Sequence, residues 1–183
     1  MTSARRWLTV GVTVAVVLVL DQLSKRWAVD RLKDQAPIDL FWTLRFNYAE
    51  NTGMAFSRGS GAGRFIAVLV VAIVVVLIVV ARKMTSRLQL VLVGVVIGGA
   101  LGNLVDRIFR AGDGGFLTGG VVDFVDVQWW PIFNVADACV VVGGIALALT
   151  GLRAPEDPPP DEPEPDDPTS QGSETAADER SSG

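Results

Sequence analysis

The sequence predicts an all-α polytopic membrane protein: four transmembrane helices with a small extracytoplasmic β-sheet, or cradle. Three observations predict it. Four apolar stretches each reach the roughly 20 residues that a bilayer crossing requires. Half of the 183 residues are apolar before glycine is counted, whereas soluble chains reach roughly 45–50% only with glycine included. Bases also gather at one side of these stretches: Arg5 and Arg6 before the first, Arg82, Lys83 and Arg87 between the second and third, and Arg153 after the fourth.

The first stretch covers about residues 7–27 and is free of charge over 8–20. A polar Asp21-Gln22 pair follows it where a cleaved leader would carry a small-x-small site, so it reads as a retained span. The second stretch, 65–81, is apolar throughout. The third, 88–107, is broken only by Gln89, glycines and Asn103 before it reaches Asp106 and Arg107. The fourth, 132–152, is interrupted by Asn134, Asp137 and Gly143-Gly144. Basic short loops stay cytoplasmic. Both termini and the 82–87 link are therefore expected inside a plasma membrane, with segments 28–64 and 108–131 outside. Residues 1–153 form one membrane domain on this reading.

The outer segments carry strand signals. Ile38, Leu40, Trp42, Leu44 and Phe46 alternate with Asp39, Phe41, Thr43, Arg45 and Asn47, the period of a half-buried strand. Asn51-Thr52-Gly53 reads as a turn. A glycine-rich run over 112–120 leads into a second strand-like run, 121–127. Residues 154–183 differ in kind: ten acids and seven prolines against one base, Arg180. Such a composition buries too little apolar area to offset ordering entropy and predicts a disordered cytoplasmic tail. The formal net charge of −4 belongs to that tail, because 1–153 holds 15 bases and 10 acids.

Composition excludes several chemistries. With no His and one Cys, the chain cannot build a Ser-His-Asp triad, a His-ligated zinc site or an internal disulfide. No phosphate-binding glycine motif opens a helix after a strand, and the bases form no dense nucleic-acid block. No cofactor and no metal are expected.

The informative polar residues gather at the outer ends of the spans. Asp21 and Lys25 lie i, i+4; Asn103, Asp106 and Arg107 share one helical face; Asn134 and Asp137 lie i, i+3 in the first turns of the fourth span. Asp123 and Asp126 fall in the outer strand-like run. A carboxylate at membrane depth costs about 2.5–3.5 kcal/mol, so such groups face the protein interior and mark function by default. Pairing offers the plainer explanation for Asp21 with Lys25, and for Asp106 with Arg107 or another base. Span four offers Asp137 no base. Two carboxylates meeting in a low-dielectric site share a proton, and the pair could activate water and polarise a peptide carbonyl. A small proton-coupled carrier would also bury acids, and a non-catalytic assembly factor remains a third possibility on these residues alone.

Five blocks make the reading specific. They are Asp21-Gln22-Leu23-Ser24-Lys25; Asn51-Thr52-Gly53-Met54-Ala55-Phe56; residues 98–107, which end Gly102-Asn103-Leu104-Val105-Asp106-Arg107; Val121-Val122-Asp123-Phe124; and Phe133-Asn134-Val135-Ala136-Asp137. In this order the chain resembles the lipoprotein signal peptidases, the type II signal peptidases of the bacterial plasma membrane, over residues 21–137. The resemblance implies an aspartic endopeptidase with Asp123 and Asp137 as its catalytic pair and Asp106 in support. Asn51, Gly53, Asn103, Arg107 and Asn134 match positions around the substrate, and Asp21 and Lys25 match first-span positions near them. It implies a diacylglyceryl-modified prolipoprotein as substrate, cut on the N-terminal side of the lipidated Cys, with membrane lipid as the other partner. Asp126 leaves a competing acid three residues from Asp123. The long glycine-rich run before Asp123 and the acidic tail depart from the family pattern. Trp42, Trp129 and Trp130 are expected in an interfacial aromatic belt.

Overall fold

The computed structural model describes residues 2–52, 62–110 and 115–152. In chain order its elements are α1 (Ser3–Leu32), β1 (Ile38–Phe41), β2 (Leu44–Asn51), α2 (Ala62–Ala81), α3 (Arg87–Phe109), β3 (Val121–Asp126) and α4 (Val135–Leu152). Three helical segments, Ser3–Leu32, Arg64–Ala81 and Arg87–Phe109, are long and apolar enough to cross a membrane, and Val135–Gly151 is a shorter apolar helix. Along their middle stretches the outward faces are apolar: Leu8, Val12 and Val16 on α1, Phe65, Val68 and Val76 on α2, and Val142, Ile145 and Leu149 on α4 are all exposed. Patches of that extent do not persist in water.

Small residues set the helix packing, as expected where lipid offers no hydrophobic drive for helices to associate. Gly98 of α3 lies against Val14 and Val17 of α1, and Gly102 lies against Asp21, so α1 and α3 run parallel. A Cβ at Gly98 would stand 2.7 Å from the Val17 Cβ. Gly99 packs on Ala136 and Cys139 of α4, while Gly143 of α4 meets Val95 and Val96, so α3 and α4 run antiparallel. Toward the other end, Ala81 of α2 closes on Val10, Leu90, Val93 and Ile97.

The sheet stands on one end of the bundle. Its strand order is β1-β2-β3, antiparallel throughout. Thirty residues of α1 make a rod of about 45 Å, longer than a hydrocarbon core of about 30 Å. Its last turns hold the sheet: Ala28 and Leu32 pack on Val122 and Phe124. Trp27 also sets its ring edge-on to Phe46 and Phe124, at centroid distances of 5.1 and 6.1 Å.

Two sequence expectations change. The alternation over 38–47 is not one strand but a hairpin that reverses at Trp42-Thr43, with Trp42 at φ 49°. The period of two continues through the turn, which is why the pattern hides it. Nor is β1 half-buried: all four residues are exposed, because β1 is the edge strand and β2 separates it from the bundle. Asn51 ends β2, and the turn expected over 51–53 runs beyond the described residues. Gly53 and the tail expected to be disordered, 154–183, lie outside the described residues, as do residues 112–114 of the glycine-rich run. Residues 132–134 approach α4 in extended form, where Phe133 bridges to Val125.

Gly98→Leu forces α1 and α3 apart. Overpacking of this kind costs about 1–3 kcal/mol, and thermal unfolding of the purified protein in detergent should show the corresponding loss.

Candidate active site

The polar side chains that the structure buries almost completely, Asp21, Lys25, Asp106, Arg107, Asp123, Asp126 and Asn134, lie toward the sheet end of the bundle. Burying charge demands partners, and they form two separate groups.

Lys25 centres the larger group. Its side chain is 0% exposed, and its Nζ lies 2.9 Å from Asp21 Oδ2 and 3.1 Å from Asp106 Oδ2. It also donates to Asn103 Oδ1 at 2.9 Å. An ammonium has three protons, and these three acceptors use them all. Each carboxylate in turn holds a backbone amide. Asp21 Oδ1 accepts from Ala136 N at 3.0 Å, which satisfies an otherwise orphaned amide in the first turn of α4. Asp106 Oδ2 accepts from Val122 N at 3.2 Å, which fixes β3 one residue before Asp123.

The Asn134-x-x-Asp137 spacing builds a reciprocal cap. Asp137 N donates to Asn134 Oδ1 at 2.9 Å, and Asn134 N donates to Asp137 Oδ2 at 3.2 Å, the geometry of a capping box. A helix start thereby fixes one oxygen of Asp137. The other, Oδ1, accepts from Asn103 Nδ2 at 2.7 Å. The Asn134 amide reaches the opposite way, to Asp123 Oδ1 at 2.7 Å and Asn103 Oδ1 at 3.1 Å. One buried side chain thus touches both Asp123 and the segment that orients Asp137. Asn51 also donates to the Asp123 carboxyl. Burial, then the neighbouring charge of Asp137, pushes Asp123 up to about 6, against the opposing hydrogen bonds of Asn51 and Asn134.

Arg107 is buried beside Asp123, Asp137 and Asp106. Its Nη1 has no hydrogen-bond partner among the described residues. It faces a cavity of about 540 Å³ lined by Asn51, Asn103, Arg107 and Asp137, and by apolar residues of α2, α3 and α4 such as Val70, Val96 and Val140. The cavity joins a polar head holding one acid, Asp137, to an apolar body.

Two expectations about partners are corrected or refined. Asp106 pairs with Lys25 and, at 3.1 Å, with Arg110; no ion pair joins it to Arg107 among the described residues. Adjacent helix positions point 100° apart, whereas Arg110 is one turn on and shares the face. Asp126 belongs to the second group. It accepts from Arg45 Nε at 2.7 Å, Asn47 Nδ2 at 3.2 Å and Gln128 N at 2.7 Å. Burial raises its carboxyl, but these hydrogen bonds outweigh burial and hold it below the usual value. Asp126 is therefore occupied in bracing β2 against β3. Gln22 and Arg110 were not singled out by the sequence. Gln22 donates to Asp21 and to Gly102 O, and Arg110 could have been found from its i+4 spacing to Asp106.

The signal peptidase (SPase) II family model matches residues 13–153. The lipoprotein signal peptidase of Rhodococcus jostii (strain RHA1) is 40% identical over 149 residues, covering 81% of this chain and 74% of that one. That of Mycobacterium avium (strain 104) is 40% identical over 139 residues, 75% of each. A bacterial membrane enzyme structure determined by the in meso method at 1.9 Å resolution superposes with a TM-score of 0.68 at 26% identity, covering 80% of this chain and 94% of that one. This chain belongs to the signal peptidase II family. It is a membrane peptidase.

Replacing Lys25 by Met leaves two carboxylates buried without their cation. Breaking one partner of such a cluster costs about 3–5 kcal/mol, so K25M should lose its folded form in denaturant well before wild type. The linkage for Asp123 has the opposite sense. Its folded value near 6 exceeds the model-compound 3.8, so its ionisation disfavours the fold, in full above pH 6 and not at all below 3.8. Asp123→Asn should therefore gain stability relative to wild type as pH rises from 4 to 7, measured by paired melts.

Proposed function

We propose that the chain is an aspartic endopeptidase that removes signal peptides from diacylglyceryl-modified prolipoproteins, cutting N-terminal to the lipidated Cys, with Asp123 and Asp137 as its catalytic pair. The observation that carries this reading is the Asn134 bridge. It ties a carboxyl whose hold on its proton is raised to about 6 to the helix start that fixes a second carboxyl on the wall of a largely apolar cavity.

The chemistry is general acid–base hydrolysis. Asp137, accepting N–H bonds at both oxygens, takes a proton from water. The hydroxide forms a bond to the scissile carbonyl carbon, while protonated Asp123 hydrogen-bonds the carbonyl oxygen and transfers its proton as the tetrahedral intermediate forms. As that intermediate collapses, a hydroxyl proton returns to Asp123, the C–N bond breaks, and the proton taken from water passes from Asp137 to the departing Cys amine. Arg107, which lines the cavity and whose Nη1 has no partner among the described residues, binds substrate carbonyls. Asn51 and Asn103 orient the acids, and Gly53 is a substrate-binding position by its match to the family motif. Lys25, Asp21 and Asp106 hold the frame. No metal or other cofactor enters the reaction.

In the membrane, α4 acts as a fourth span: its 18 residues measure about 27 Å, close to the hydrocarbon thickness. The basic ends of the helices face the cytoplasm, both termini included, and the acid site lies at the outer leaflet, where a diacylated Cys partitions. Trp42, 88% exposed at the hairpin tip, and Trp129 and Trp130 lie at that interface. Residues 1–153 form the peptidase domain and 154–183 an acidic extension. The carrier reading is not favoured, because the family is one of peptidases and α2 holds no polar residue from Phe65 to Ala81.

Asp123→Asn and Asp137→Asn should each abolish cleavage of a diacylated prolipoprotein while still inserting in membranes, and Asp126→Asn should retain it. Full processing by either of the first two variants overturns the assignment. Because Asp123 must carry its proton in this scheme, kcat/KM should fall as pH rises through about 6, whereas EDTA should leave the rate unchanged.

A further inference from the structure

The opposite end of the bundle carries an unbalanced charge. Arg5 and Arg6 at the start of α1, Arg82 and Lys83 after α2, and Arg87 at the start of α3 share that end. Arg6 Nη1 donates to Arg82 O at 2.6 Å, which draws the first helix onto the α2–α3 turn. The Nε of Arg6 is buried and has no partner among the described residues. Ser86, the N-cap of α3, makes no side-chain cap bond, so the first amides of α3 add uncompensated donors at the same level.

Among the described residues no acid answers this cluster. In sequence, α1 has none before Asp21, α2 has none, α3 has none before Asp106, and α4 has none after Asp137. Along α1, Asp21 lies about 22 Å from Arg6, far beyond the Debye length of about 8 Å at physiological salt. The described residues therefore supply no counter-charge at this end. The surface beside the bases is apolar: Leu8, Val79, Val80 and Leu88 are all exposed. A free inorganic anion would leave that surface unused. A phospholipid meets both features, with its phosphate among the bases and its acyl chains along the helices.

We propose that the α1 N-terminus and the α2–α3 turn form a binding site for one anionic phospholipid headgroup, with Arg6, Lys83 and Arg87 as its principal donors. The site is independent of the peptidase assignment.

Native mass spectrometry of the full chain in neutral detergent tests it, with phosphatidylglycerol or phosphatidylcholine of identical acyl chains added. Phosphatidylglycerol should be retained in preference. The double variant Lys83→Gln/Arg87→Gln should lower its retention about tenfold or more, given the pull of each base on an anionic headgroup. Both side chains are exposed, so this variant keeps the fold. Arg6→Lys, which keeps the charge and loses the Nε donor, should weaken retention less. Arg26→Gln/Arg31→Gln, at the far end of α1, should change nothing. Equal retention of the two lipids, equal loss in both double variants, or displacement of the lipid by millimolar inorganic phosphate would each overturn the proposal.

Discussion

A buried ammonium and its two carboxylates hold this structure in register. Lys25 is sealed from solvent and meets Asp21, Asp106 and Asn103 at once. In a low-dielectric interior none of these charges persists alone, so the two helices that carry them, α1 and α3, cannot drift apart separately. Because Asp21 also holds an α4 amide and Asp106 a β3 amide, the constraint reaches all four elements around the site. Gly102 permits it: any side chain there would enter the space of the Asp21 carboxylate.

The acid pair is built on this frame by economical means. Asn134 caps α4, orients Asp137 and contacts Asp123, with no bond spent on solvent. The environment then separates two acids of one short strand into different roles. Asp123, buried with a like charge nearby, holds its proton up to about pH 6, whereas Asp126, three residues on, is tied by Arg45 and Asn47 and lies below the usual carboxylate value. The residue type is the same, and the surroundings decide its chemistry.

Much of this was legible in the sequence, for identifiable reasons. The apolar runs and polar clusters have periods that survive without knowledge of contacts, so the helices and the Asp21–Lys25 pair could be read directly. The strand over 121–127 was equally plain, because its buried run is short and continuous. The hairpin at Trp42-Thr43 was hidden because alternation passes unbroken through a two-residue reversal. The true partner of Asp106 was hidden because adjacency along the chain, to Arg107, competes with adjacency in space, to Lys25 some 80 residues earlier. The capping role of Asn134 could have been recognised from its spacing to Asp137. Its reach to Asp123 could not, since that depends on how β3 lies over the start of α4.

The length of α1 has a further consequence. One unbroken helix begins among the bases at one end and finishes beneath the sheet at the other, so the height of the acid pair above those bases is fixed by covalent geometry. On the proposed reading the protein is a ruler as well as a catalyst. A bond is cut when its lipid anchor brings it to that elevation, and the residues flanking it need encode little more than the ability to lie extended there.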